Sequence, residues 1–273
     1  MYSNINLTKQ KAHNIRETIL RSLTEAGSGH LGGSIVLADI FSVLYFNEMR
    51  YDINNPSWED RDRLILSIGH TAPVLYASLA EAGFFPKDEC MTLRKIGSRL
   101  QGHPSKDSEL PGVETSAGSL GQGLGIAIGM ALSAKMDDKN YRTYCVMGDG
   151  ELQEGSVWEA AMAASNYRLD NLCAIIDRNR LQIDGSTESV MALEPLDEKW
   201  TSFGWNVVEI DGHDHNDIID AFDVARATKG QPTLILANTI MGKGVKSIEN
   251  DNKWHGKVPT KEQLIGFLNE LEK

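Results

Sequence analysis

Two short apolar runs, each ending on a polar turn, constrain this chain more than any other feature. Thr143-Tyr144-Cys145-Val146-Met147 ends at Gly148, and Leu172-Cys173-Ala174-Ile175-Ile176 ends at Asp177. Runs of this length read as buried strands. Gly155 to Tyr167, between them, is rich in Ala, Met and Glu and long enough for a helix. Strand, helix, strand implies a parallel pair with a right-handed crossover, and ligands of open α/β sheets collect beyond the carboxyl ends of the strands. Gly148-Asp149-Gly150 follows the first strand. After 28 intervening residues comes Asn179, just past the second, with Leu181 two positions on. Gly148 and Gly150 allow a sharp turn and let a ligand approach the backbone. By itself the tripeptide reads as an ordinary Asp-Gly turn. With the acidic helix start at Glu151 and Glu154, and a second strand before Asn179, the segment suits a metal that holds a diphosphate. Asp149 would give a carboxylate oxygen, Asn179 an amide oxygen and Leu181 a backbone carbonyl. Mg²⁺ favours such oxygen ligands together with substrate phosphates, and Ca²⁺ or Mn²⁺ could replace it.

The same alternation runs through the chain. Leu7 to Glu25 has apolar residues at helical spacing, with Thr8 as its cap. Helices are expected at Ile35 to Glu48, Ala72 to Ala82, Gly121 to Lys135, Leu196 to Phe203 and Ile218 to Thr228, with a helical patch from Lys87 to Ile96. Further strands are expected at Arg63 to Ser67, Asn206 to Ile210 and Thr233 to Asn238, and Thr260 starts a final helix. Ser98 to Glu114 reads as loop, and Thr239 to Pro259 as a long polar loop. Strands alternating with helices give an α/β fold, a doubly wound parallel sheet with helices on both faces. The 273 residues show no linker, repeat or low-complexity tract, so 1–273 reads as a single domain. Loops as long as 241–259 are usually functional lids when they are ordered.

Composition narrows the function classes. The formal charge of −11 argues against a general nucleic-acid surface. An acidic total still admits an anionic ligand, because a metal sets the local field in a cleft. Cys90, Cys145 and Cys173 are few and scattered, which reads as reduced core thiols instead of a disulfide framework or zinc site. The polar start and the lack of an apolar run of about 20 residues point to a cytoplasmic chain with no membrane partner.

Histidines and glycines mark other candidate positions. His30, His70 and His103 each follow a glycine in a turn-like context. Alone, each reads as a structural histidine, although imidazole is the side chain best suited to proton transfer near neutral pH. His213 and His215 read as structural, with Asp214 a helix cap. Gly118-Ser119-Leu120-Gly121-Gln122-Gly123 precedes a helix, and such turns present backbone N–H groups to anions. A dinucleotide loop would need a strand just before the glycines and an acid about 20 residues later. Pro111 to Ala117 is a poor strand, so that reading is weak.

From Arg16 to about His255 the chain resembles the N-terminal half of a transketolase. The metal segment is similar to the thiamine diphosphate motif of that family. The resemblance also rests on Gly27-Ser28-Gly29-His30, Gly69-His70, Gly97-Ser98-Arg99 with Gly102-His103-Pro104, the Gly118–Gly123 cluster and Trp254-His255-Gly256. It implies the thiamine diphosphate-binding fold of the diphosphate-holding type, with thiamine diphosphate and Mg²⁺ as cofactors. Asp149, Asn179 and Leu181 are the implied metal ligands. His30, His103 and His255 are implied to face the reacting sugar carbons. His70, Gly118, Leu120, Gly150, Asn179 and Met241 are implied to contact the cofactor. Lys243 is either a solvated charge or a cation near the diphosphate. Glu154 is either a solvated acid in the first helical turn or an interface residue coupled to a partner glutamate near the cofactor.

The implied reaction moves a two-carbon ketol unit from a ketose to an aldose. In the family, the glutamate that activates the cofactor and the aromatic pocket for its pyrimidine lie in a second α/β domain. The chain stops at Lys273, before any such domain, so it reads as one subunit of a split enzyme. A C-terminal transketolase subunit carrying the pyrimidine-binding domain is the expected partner, in an α₂β₂ assembly. Two departures bear on the substrate. Leu31-Gly32 follows His30 where the family more often has Pro-Gly, and Ile68 precedes Gly69-His70 where related split subunits often carry Lys. A transketolase acting on sulfonated or unphosphorylated sugars, and a deoxyxylulose-phosphate synthase-like subunit, are the alternatives.

Overall fold

The computed structural model describes residues 5–272. Its strands are β1 (Arg63–Leu66), β2 (Thr143–Gly148), β3 (Leu172–Arg178), β4 (Leu181–Gln182), β5 (Gly185–Ser186), β6 (Asn206–Asp211) and β7 (Thr233–Asn238). Five of them form one parallel sheet in the order β1-β2-β3-β7-β6, while β4 and β5 pair as a small antiparallel hairpin. The helices are α1 (Ile5–Ala26), α2 (Leu31–Val36), α3 (Ala38–Val43), α4 (Ala72–Ala82), α5 (Gly123–Met136), α6 (Gly155–Asn166), α7 (Thr187–Val190), α8 (Leu196–Ser202), α9 (His215–Ala227) and α10 (Lys261–Leu271).

Helices cover both faces of the sheet, and the strands show why. Side chains alternate across a strand. Tyr144, Val146, Cys173, Ile175 and Ile235 join the core packed by α1, α3, α4 and α9. Their neighbours Cys145, Met147, Leu172, Ala174 and Leu236 join the opposite core, with α5, α6 and α8. Burial on both faces makes the central strands continuous apolar runs instead of alternating ones. All three cysteines are buried and unpaired.

Local chemistry sets the ends of the elements. Pro73 occupies the first turn of α4, and Gly83 closes that helix at φ 95°. Asp214 caps α9 by accepting from the Asn216 amide, so that helix starts before Ile218. Thr260 and Gln263 form a reciprocal capping box on α10. Thr8 is not a cap: α1 already runs from Ile5, and the buried Thr8 hydroxyl bonds the Ile5 carbonyl instead. The expected Ile35–Glu48 helix is α2 and α3 followed by a π-helical turn at Leu44–Glu48. Of the Lys87–Ile96 patch, only Lys87–Thr92 is helical, as a 3₁₀ segment. The 239–259 stretch is less polar in packing than in composition, because Met241, Val245, Ile248 and Trp254 are all buried. No described helix is long and apolar enough to cross a membrane.

Candidate active site

The carboxyl ends of β2, β3 and β7 lie side by side, with Gly148 opposite Asp177 and Asp177 opposite Ala237. That register brings Asp149 and Asn179 to one edge of the sheet, and the chain continues into the β4–β5 hairpin. Around them opens a cleft of about 270 Å³. Its walls include Asp149, Gly150, Asn179 and Leu181 from the strand ends, and Leu120, Glu154, His70, His255 and Met241 from the loops facing them.

Asp149 is almost fully buried. Its Oδ1 accepts from the Gly150 amide at 2.7 Å, and its Oδ2 accepts from Arg178 Nη1 at 3.0 Å and the Arg180 amide at 2.6 Å. Burial pushes the Asp149 carboxyl upward against the pull of Arg178 and these amides. Asn179 donates from Nδ2 to Asp177 Oδ2 at 2.8 Å, and its Oδ1 accepts from the Leu181 amide at 2.9 Å. Asp177 is pushed up to about 7 by burial, opposed by hydrogen bonds from Thr239 and Asn179 and reinforced by the nearby Asp149 charge. Gln182 Oε1, on the same wall, is buried with no hydrogen-bond partner among the described residues. No group of three or more His, Cys, Asp or Glu among the described residues is arranged to hold a metal. A cation at Asp149 would depend on amide and carbonyl oxygens.

Among the described residues, the acids of this lining are Asp149, Glu151, Glu154, Asp177 and Asp184, and no Lys or Arg joins them. Arg178 lies behind Asp149, fully buried and spread over Asp149, Thr187, Glu188 and Glu194. Glu151 is a buried tie: it accepts from Gly121 N at 2.7 Å, from Gly148 N at 3.3 Å and from the Ser67 hydroxyl. Burial pushes its carboxyl up, against these three hydrogen bonds.

Three imidazoles close one side. The ring centres of His30 and His70 stand 5.0 Å apart, those of His70 and His255 5.3 Å, and those of His30 and His255 5.9 Å. Burial drives His30 down to about 4 and His70 to about 3, with neighbouring imidazoles adding to it, and also lowers His255. At neutral pH these rings are uncharged, so each carries one N–H donor and one acceptor. The Nδ1 atoms of His30 and His255 are buried without a partner among the described residues.

His103 is exposed, in a shallow depression with Gly102 and Pro104, and a β-carbon on Gly118 would lie 3.8 Å from its ring. The structure thus brings together His30, His70, His255, Leu120, Gly150, Glu154, Asn179, Leu181 and Met241 around Asp149, with His103 and Gly118 adjoining. It does not bring in Lys243, which lines a separate groove with Glu209, Asp211 and His213. His213 and His215 bond Asp39 instead, away from the cleft. Leu31, at the first of the two departures, is buried as the first residue of α2, and its amide donates to Lys257 O at 3.3 Å. Ile68, at the second, is a buried wall of the cleft.

Sequence pattern alone does not single out Arg178, Asp177 or Gln182, and it takes Glu151 for a helix-start acid. A charged pair closing an otherwise apolar strand run is the available signal for Asp177 and Arg178.

Residues 7–268 match the family profile described as transketolase, thiamine diphosphate binding domain. One of the subunits of apulose-4-phosphate transketolase from Phocaeicola vulgatus is 46% identical over 256 residues, which is 94% of this chain and 90% of that protein. The 6-deoxy-6-sulfo-D-fructose transketolase subunit SqwG of a Clostridium species is 43% identical over 265 residues, 97% of this chain and 96% of that one. Human transketolase is 44% identical over 264 residues, 96% of this chain and 42% of the human protein. The solved transketolase of Leishmania mexicana superposes with a TM-score of 0.92 at 33% identity, over 97% of this chain and 41% of that one. The fold is the thiamine diphosphate-binding one, and the relatives place the chain among transketolase enzyme subunits. It belongs to the transketolase N-terminal, thiamine diphosphate-binding family. It spans about two-fifths of the length of the long transketolases and nearly all of the two shorter relatives.

Proposed function

We propose that the chain is the diphosphate- and metal-holding subunit of a split transketolase, transferring a two-carbon ketol unit from a ketose to an aldose. The observation that carries the reading is the charge of the cleft. Among the described residues it is lined by five acidic side chains and three neutral imidazoles lie at its side, so a diphosphate enters only with a divalent cation between it and Asp149. The donors suit Mg²⁺: the Asp149 carboxylate, the Asn179 amide oxygen and the Leu181 carbonyl are all hard oxygens. The unpartnered Gln182 Oε1 supports a further ligand, such as a metal-bound water, on the same wall.

When bound, thiamine diphosphate supplies the electron sink for carbon–carbon cleavage. The chain's residues do the rest. Gly150 leaves the turn open to the diphosphate. Leu120, Gly118 and Met241 shape the apolar wall, and His70 borders the diphosphate and the sugar. His30 and His255 meet sugar hydroxyls, accepting a proton or donating to a developing alkoxide, and His103 does the same from the rim. Residues 241–259 close over the bound sugar, and the chain acts as one cytoplasmic cofactor-binding domain. Glu154 is exposed at the cleft edge, where a second chain would meet it.

Two relatives are named for sugars with an anionic end, a phosphate in one and a sulfonate in the other. The substrate class proposed here is therefore a ketose bearing a terminal anion. Catalysis requires a second chain with the pyrimidine-binding domain, in an α₂β₂ assembly. The test is to co-express this chain with a candidate partner, add thiamine diphosphate and Mg²⁺, and assay ketol transfer on ketoses ending in phosphate, sulfonate or hydroxyl. Activity that needs both chains and the metal is expected. Full activity from this chain alone, or with chelator present, would sink the reading.

A further inference from the structure

The loop from residue 93 to residue 103 carries three strong cations, and two are neutralised locally. Lys95 Nζ meets Glu25 at 2.8 Å and Arg99 Nε meets Glu89 at 2.6 Å. Arg94 has no ion-pair partner among the described residues. Its backbone is at φ 61°, the left-handed region that a non-glycine residue adopts only at a cost of order 1 kcal/mol. The Arg94 amide donates to Leu100 O at 2.9 Å, which closes the loop on itself.

The guanidinium rests against two glycines. A β-carbon on Gly102 would stand 2.8 Å from Arg94 Cζ and 2.9 Å from Nη2, and one on Gly29 would stand 3.7 Å from Nε. These two glycines immediately precede His103 and His30. Gly29 itself is at φ 142°, beyond the ordinary range of an L-residue, whereas Gly102 needs no such freedom. What Gly102 provides is space for the guanidinium.

We infer that Arg94 is a positioning residue for the transfer reaction: seated between Gly29 and Gly102, it sets the spacing of His30 and His103 and holds a fixed positive charge behind both imidazoles. The proposal rests on the transketolase reading for what the two histidines do, but the geometry of the seat stands apart from it. A fixed cation favours the neutral imidazole, the form that can accept a hydroxyl proton. Burial lowers both histidines first. His103 is then lowered by Arg94, and His30 by His255, Arg94 and His103 in turn. His30 also faces His70 at 5.0 Å.

The test is a ring-proton NMR titration of the full-length chain labelled at histidine. Arg94→Met keeps an unbranched apolar stem and removes the charge. Gly102→Ala keeps the arginine and fills its seat, so it carries the same test should Arg94→Met fail to fold. In both, the midpoints of His30 and His103 should rise by about 0.5 pH units, the scale for a partly screened charge. Arg94→Lys should restore the midpoints and leave both rings at altered chemical shifts, because a point charge cannot replace the planar fork. Lys95→Met, removing a cation already paired, should leave both midpoints in place. Midpoints unmoved in both Arg94→Met and Gly102→Ala, or moved as far in Lys95→Met, would overturn the inference. The titration needs no turnover, so a failure of the transketolase reading shows separately, as absent ketol transfer by the two-chain complex.

Discussion

Two buried arginine–aspartate pairs lie in different parts of the molecule, and they are built to different ends. Asp39 is gripped by both terminal nitrogens of Arg16, by His213 Nδ1 at 2.8 Å and by His215 Nε2 at 3.2 Å. His215 bonds Thr8, and His213 Nε2 accepts from the Ile240 amide, so the cluster joins α1, α3, α9 and the segment after β7. Burial would raise the Asp39 carboxyl, but Arg16 and the two histidines outweigh it and hold it well below the usual range. Asp149 has Arg178 and two backbone amides, yet its carboxyl is raised, and it borders open space with an unpartnered Gln182 oxygen on the same wall. The first pair faces inward, with its carboxylate filled by four donors and Arg16 Nε left without a partner among the described residues. The second keeps ligand capacity on the cleft side. Burial of an ion pair alone does not tell structure from site; the unfilled acceptors beside it do.

Four expected outcomes break or sharpen this contrast. Asp39→Ala strands the buried Arg16 charge and should cost about 3–5 kcal/mol, read by urea unfolding, while the folded fraction still binds thiamine diphosphate. Loss of cofactor affinity with stability intact would reverse the assignment. Asp149→Ala should do the opposite: metal-dependent cofactor affinity by calorimetry should fall on the order of 100-fold, about 2.7 kcal/mol, with the fold preserved. An unchanged affinity would remove Asp149 from the site.

The pH dependence of stability should divide along the same line. His30 and His70 sit at about 4 and 3 in the folded chain, against 6.5 for a free histidine. The unfolded chain takes up those protons first, so stability is complete above about pH 7 and declines as pH falls from 6.5 toward 4 and 3. Asp39 is depressed, so its contribution persists down to its unfolded value of 3.8 and is lost only below it. Melting temperatures should therefore fall from pH 7 toward pH 4 against the opposing Asp177 carboxyl, which is raised to about 7, and the double variant His30→Gln/His70→Gln should remove that fall. Equal slopes in the two proteins would place the titrating groups elsewhere. The smallest effect belongs to Thr8→Val, which removes hydroxyl bonds to Ile5 O and His215 Nδ1. It should cost about 1 kcal/mol in thermal unfolding with no change at the cleft.

The fold was largely legible because its strands are buried on both faces. Leu172–Arg178 and Thr233–Asn238 lie beneath helices on either side, so they read as short apolar blocks closed by polar residues. The order of the strands was not legible, since β7 inserts between β3 and β6 through contacts that no local pattern encodes. The convergence of Asp149 and Asn179 could be read because both stand just past strand ends. The role of Glu151 could not. Its partners are a serine hydroxyl at 67 and amides at 121 and 148, and an acid near a helix start has a simpler explanation. Arg178 is hidden in a similar way, because Glu188 and Glu194 reach it from the short helix α7 and the loop that follows, which carry no strand signal.

Glu151 has a thermodynamic consequence. Glycine-rich loops ordinarily lose much conformational freedom when they capture a ligand. Here one carboxylate, sunk between the loops that begin at Gly121 and Gly148, has already drawn their amides inward. The ordering entropy of ligand capture therefore falls on the incoming molecule and on the partner chain, while the rim of the sheet stands ready beforehand.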